Sequence, residues 1–141
     1  MLDACADAGA GDPGGGSAGE AVVSEARILV VEDEIMVAML IEDVLGELGH
    51  RVVGIARSVG EALAMLERET IDAALLDVNL EGEMVFPVAT ALRARGLPFA
   101  FVTGYGRTMF EQDFADWPLL QKPFRPEDLA RLMARLGLGG A

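Results

Sequence analysis

The sequence predicts an α/β fold: a doubly wound parallel sheet of five strands with helices on both faces. Two observations carry this. From Arg27 onward, short apolar runs alternate with longer segments of 3.6-residue period, the pattern of strands and helices taking turns along the chain. Four of the apolar runs also end on polar residues: Ile28-Leu29-Val30-Val31 on Glu32-Asp33, Ala73-Ala74-Leu75-Leu76 on Asp77, Phe99-Ala100-Phe101-Val102 on Thr103, and Leu119-Leu120-Gln121 on Lys122. If those runs are parallel strands, the polar groups gather at the carboxyl edge of the sheet, where open α/β sheets bind their ligands.

The elements follow in order. Residues 27–31 read as a buried strand. Val37, Leu40, Ile41, Val44, Leu45 and Leu48 form one apolar stripe of a helix, which Gly49 stops. Residues 52–56 make the second strand. Ser58 and Glu61 have capping-box spacing and open a helix through about Glu69. Residues 72–76 are the third strand. A helix over 86–95 holds Pro87 in its first turn and ends at Gly96. Residues 98–102 and 118–121 are the fourth and fifth strands, and Pro126 opens a last helix through Leu136. Between 104 and 116, Gly104, Gly106, Phe110 and Phe114 give no clean stripe, so the pattern supports at most a short or mobile helix there.

Composition narrows the function. At 141 residues the chain makes one domain of ordinary size. Residues 26–138 form that domain, and 1–25 read as a disordered acidic tail whose Gly11-Asp12-Pro13-Gly14-Gly15-Gly16-Ser17 has linker composition. Asp3 and Asp7 interrupt any apolar leader, and no apolar run approaches the roughly 20 residues that span a bilayer. The formal net charge of −12 speaks against nucleic acid. Cys5 and His50 each stand alone, which leaves neither a cysteine metal framework nor a histidine-centred triad. These features point to a cytoplasmic protein with no membrane partner.

The strand-end residues suggest phosphoryl chemistry. Glu32, Asp33 and Asp77 would repel one another unless one kept a proton or a cation joined them. Oxygen-only ligands suit Mg²⁺, to which Asn79 could add its backbone carbonyl. A carboxylate beside such a metal can act as a nucleophile toward phosphorus, and Asp77, flanked by apolar residues, is the candidate. Thr103 would donate its hydroxyl to a phosphoryl oxygen, Lys122 would pair with another, and Gly104 leaves room. Lys122 is the only lysine in the chain, which suggests a need for an ammonium point charge there. Taken singly these residues are ordinary: Glu32-Asp33 a solvated turn or helix cap, Asp77 a turn residue. The set of four strand ends carries the inference.

The motifs Val30-Val31-Glu32-Asp33-Glu34, Leu75-Leu76-Asp77-Val78-Asn79-Leu80, Thr103-Gly104 and Lys122-Pro123-Phe124 resemble the receiver domain of two-component response regulators. The resemblance spans about Ala26 to Leu138. It implies a flavodoxin-like sheet of 2-1-3-4-5 order, with Asp77 phosphorylated by a sensor histidine kinase or a histidine phosphotransfer protein. It also implies Mg²⁺ on Glu32, Asp33, Asp77 and the Asn79 carbonyl, with Thr103 and Lys122 reading the phosphoryl group. The stretch Phe99-Ala100-Phe101-Val102-Thr103-Gly104-Tyr105 is similar to the FAT GUY subgroup, with Val102 in place of the usual Ala, and that subgroup often pairs with kinases of the HWE and related classes. Ordinary receivers carry an aromatic switch residue three positions before the lysine, where this chain has Leu119. Tyr105 and segment 104–116 are therefore the candidates for the responding element.

After the last predicted helix only Gly137-Leu138-Gly139-Gly140-Ala141 remains, so a stand-alone regulator is expected, relaying phosphate or binding a downstream protein target. Beyond taking up and hydrolysing its own phosphoryl group, no enzymatic activity is expected. Two other readings compete. A haloacid-dehalogenase-type phosphohydrolase also uses a strand-end Asp, but it wants a second Asp two residues on, and position 79 is Asn. A pseudo-receiver would keep the fold as an interaction module without phosphotransfer, and the intact acid pair, Asp77, Thr103 and Lys122 speak against it.

Overall fold

A computed structural model of the chain describes residues 25–104, 114 and 116–138. Eleven elements follow in order: β1 (Arg27–Val31), α1 (Ile35–Glu47), β2 (Arg51–Ala56), α2 (Val59–Arg68), β3 (Ala73–Asp77), β4 (Asn79–Leu80), β5 (Glu83–Met84), α3 (Phe86–Ala94), β6 (Phe99–Thr103), β7 (Leu119–Gln121) and α4 (Pro126–Arg135). Five strands form a parallel sheet in the order β2-β1-β3-β6-β7. Counting the sheet strands alone, this is the 2-1-3-4-5 arrangement that the resemblance implies.

The central strands are buried on both faces, as parallel sheets require. Along β1, Leu29 and Val31 face a core shared with Ala62 and Leu66 of α2, Val88 and Leu92 of α3, and Phe99 and Phe101 of β6. Their neighbours Ile28 and Val30 face the opposite core, made with Ile41 and Leu45 of α1 and Leu129 and Met133 of α4. Each residue step along a strand flips the side chain to the other layer, so two packed layers of helices follow from one apolar run.

Helix ends show how local sequence sets the boundaries. At the end of α1, Gly49 adopts φ 88°, the left-handed conformation that L side chains rarely take. Gly49 N–H donates to Gly46 O (3.1 Å) and His50 N–H to Leu45 O (2.9 Å), which closes the helix as expected. At α2 only half of the anticipated box forms. Ser58 Oγ accepts from Glu61 N–H at 3.1 Å, but Glu61 Oε1 accepts from Arg57 N–H at 2.9 Å rather than from Ser58.

Two features depart from the sequence expectation. Residues 79–84 form a hairpin, β4 pairing antiparallel with β5 through Glu81 (φ 55°) and Gly82 (φ 90°). Both turn residues lie in the left-handed region, which a two-residue hairpin of matched twist demands. The second departure is Phe114. It gives no periodic signal, yet its ring is 1% exposed and sits 5.5–6.1 Å from Phe86, Phe99, Phe101 and Trp117. The Arg93 guanidinium lies 4.8 Å from the same ring. The remainder of the 104–116 reading, apart from Gly104, Phe114 and Asp116, lies outside the described residues, as do Tyr105 and residues 1–24 of the tail.

Candidate functional site

Strand register builds the site. Val31 pairs with Leu76, Asp77 with Val102, and Thr103 with Gln121. The residues that follow these pairs come out level at the carboxyl edge. Main-chain bonds hold the exits: Glu32 N–H donates to Ala56 O at 2.9 Å, Val78 N–H to Val102 O at 3.3 Å, and Lys122 N–H to Thr103 O at 2.8 Å.

A cleft of about 480 Å³ opens at this edge, lined by Asp33, Glu34, Asp77, Asn79, Glu81 and Lys122, with Gly104 on one wall. A Cβ placed on Gly104 would meet nothing within 4 Å, so the space beside it is open. Glu32 is buried beneath the cleft, Asp77 is buried in its lining, and Asp33 is half-buried. Thr103 closes β6 fully buried behind the cleft rather than in its lining. Asn79 opens β4. Its N–H donates to Asp77 Oδ1 at 3.3 Å, and its own Oδ1 accepts from Gly82 N–H at 2.6 Å, so the hairpin aims this residue at Asp77.

Electrostatics dominate here. Carboxylate oxygens of Glu32, Asp33 and Asp77 lie within 4.8 Å of one another. Burial first, and then the neighbouring Asp77 carboxylate, push Glu32 up to about 8. Burial also raises Asp77, against the pull of Lys122 and the Asn79 N–H. Lys122 is raised as well, for the opposite reason. Its burial favours the neutral amine, but the carboxylates of Glu34, Asp77 and Glu32 hold it above the ordinary lysine range, so the ammonium stays charged. Nζ lies 2.8 Å from Glu34 Oε1, 3.2 Å from Glu32 and 3.4 Å from Asp77 Oδ2.

This donor set fits a hard divalent cation. Three carboxylates converge on one point, and Glu32 Oε1, fully buried, accepts no hydrogen bond although the Lys122 ammonium is 3.2 Å away. A buried carboxylate oxygen without a hydrogen-bonded partner is costly, and a cation would supply the missing partner. Two lining residues went unnoticed among the sequence candidates. Glu34 is the third of three consecutive acids, and only the fold brings it to Lys122, 88 residues away. Glu81 was legible from the Asn79-Leu80-Glu81-Gly82 spacing, which marks a tight turn.

Comparison with known proteins gives a consistent picture. The family model of the response regulator receiver domain matches residues 28–134. The phyllosphere-induced regulator PhyR of Methylorubrum extorquens is 30% identical over 113 residues, 77% of this chain and 42% of that protein. This chain thus spans less than half the length of that relative. The solution structure of SdrG from Sphingomonas melonis Fr1 is 47% identical with a TM-score of 0.73, covering 79% of this chain and 96% of that one. The BeF3-activated conformation of SdrG from Pseudomonas melonis Fr1 is 45% identical with a TM-score of 0.70, covering 82% and 98%.

Proposed function

Because the chain belongs to the response-regulator receiver family, we propose that it accepts a phosphoryl group on Asp77 from a histidine kinase or a histidine phosphotransfer protein. The observation that carries this is the strand-end cluster itself. Asp77 is the carboxylate that ends the central strand, reaches the cleft and has the Lys122 ammonium 3.4 Å from Oδ2.

Glu32, Asp33, Asp77 and the Asn79 carbonyl are the residues that would hold Mg²⁺. When bound, the ion neutralises negative charge shared between Asp77 and the incoming phosphoryl oxygens. The chain supplies the rest. An Asp77 oxygen attacks phosphorus and forms the O–P bond as the bond to the donor's imidazole nitrogen breaks, leaving the imidazole to take up a proton. Lys122 pairs with a phosphoryl oxygen as a compact point charge. Thr103, at the neighbouring strand end, is the hydroxyl that would sense the same group, and its burial means that it must reorient to do so. Activity beyond uptake and loss of this phosphoryl group is not part of the proposal.

Signalling would proceed by contact with a downstream protein. The start of α1 supports this, since Ile35, Met36, Met39 and Leu40 are 61%, 76%, 52% and 38% exposed beside the cleft. Contiguous exposed apolar side chains mark interaction surfaces. No helix among the described residues is long and apolar enough to cross a membrane.

Incubation with radiolabelled acetyl phosphate and Mg²⁺ tests the proposal. Label should enter the wild type, and Asp77→Asn should abolish it. Equal labelling of the variant would overturn the assignment of Asp77, and an unlabelled wild type would point to an interaction module without phosphotransfer.

A further inference from the structure

The Lys122 ammonium carries three hydrogens, and three carboxylates take them all: Glu34 Oε1 at 2.8 Å, Glu32 Oε2 at 3.2 Å and Asp77 Oδ2 at 3.4 Å. Its donor capacity is therefore spent before any phosphoryl group arrives. If Lys122 is to bind a phosphoryl oxygen, one of the three must let go.

The three are not equivalent. Glu32 is 1% exposed at its side chain, and the Oε2 that meets Lys122 also accepts from Glu34 N–H at 3.1 Å, so it is fixed and has no access to water. Asp77 is the anchor of the incoming group. Glu34 makes the shortest contact, yet its side chain is 62% exposed and can return to water at little cost. It also occupies the N-cap position of α1 without capping the helix, because its carboxylate is turned to Lys122 instead. Releasing Lys122 would take nothing from α1.

We propose that Glu34 is an exchangeable counter-ion: it holds Lys122 in the unphosphorylated site and is displaced when a phosphoryl oxygen takes its place. Glu34 is thus a positioning residue that acts through Lys122 and sets how readily the site fills. The inference rests on the phosphoacceptor reading given above. Removing the charge at Glu34 lifts both the competition for Lys122 and the repulsion of an incoming anion.

Beryllofluoride, a phosphoryl mimic, with saturating Mg²⁺ and the full chain provides the test. Glu34→Gln should bind it about two- to five-fold more tightly than wild type, the range of an exposed ion pair. The gap should narrow as salt rises and screens the pair. A second readout is particular to this chain. Lys122 is its only lysine, so selective ¹³C/¹⁵N-lysine labelling yields one side-chain signal. That signal should differ between wild type and Glu34→Gln when the site is free, and should coincide when both are saturated with beryllofluoride. Unchanged or weaker binding by the variant overturns the proposal, as do identical lysine signals in the free state or distinct ones at saturation. A wild type that binds no beryllofluoride overturns the phosphoacceptor reading, and this inference with it.

Discussion

The raised Glu32 carboxyl makes stability of the metal-free protein depend on pH in a direction that can be worked out. Glu32 moves from the ordinary 4.5 to about 8 on folding. Between those values the folded chain holds a proton that the unfolded chain has lost, so stability present below about pH 4.5 drains away as pH climbs toward 8. The slope is about 1.4 kcal/mol per pH unit, or about 3 kcal/mol between about pH 5.5 and 7.5. Glu32→Gln keeps the side chain's volume and cannot titrate. The difference in unfolding free energy between variant and wild type should therefore widen across that window, by at most about 3 kcal/mol, because Asp77 titrates together with Glu32 and its own shift changes in the variant. The assay is urea unfolding in EDTA, followed by the fluorescence of Trp117, the single tryptophan, which stacks on Phe99 with ring centroids 4.9 Å apart. Excess Mg²⁺ should flatten the wild-type curve by giving the ionised carboxylate a partner. Stability curves of wild type and variant that run parallel with pH would refute the reasoning.

Two further outcomes follow from packing and hydrogen bonding. Phe114→Ala removes a ring that is 1% exposed and should cost about 3–5 kcal/mol in urea unfolding; a loss below about 1 kcal/mol would show that this residue does not anchor its segment. His50→Ala removes the acceptor for Ala26 N–H, at 3.2 Å, and the link from Nε2 to Leu138 O, at 3.1 Å, and should cost about 1–3 kcal/mol. Hydrogen exchange at the Ala26 amide should accelerate in that variant, and unchanged protection would refute the role given to His50.

How much of this was legible in the sequence depends on the range of the interaction. The parallel sheet and the gathering of Glu32, Asp33, Asp77 and Lys122 were readable, because apolar runs ending on polar residues encode both burial and the strand edge; the strand order came only with the family resemblance of the motifs. Helix ends at Gly49 and Gly96 were readable for a local reason, the backbone conformation itself. What escaped was set by tertiary context. Phe114 was missed because its ring packs among Phe86 of α3, Phe99 and Phe101 of β6 and Trp117, contacts made across the fold that no local spacing announces. The hairpin over 79–84 was hidden by its brevity, although Glu81-Gly82 is a turn signal. Thr103 was placed correctly at a strand end, but whether its side chain meets the cleft or the core depends on packing that a motif does not carry. Likewise Glu34 reads as one more surface acid until Lys122, 88 residues away, is brought beside it.

The His50 imidazole has a consequence for how such a unit can be built into larger proteins. Its Nδ1 accepts from Ala26 at the start of β1, and its Nε2–H is thereby left to donate to Leu138 just past α4. Ala26 and Leu138, near the two ends of the described fold, are therefore bridged by one imidazole and its two hydrogen bonds, remote from the acid cleft. A unit whose ends meet can be spliced into another chain, joined to a neighbour at either side, or circularly permuted without pulling its strands apart. Whatever is attached there joins at the end of the strands remote from the acid cleft.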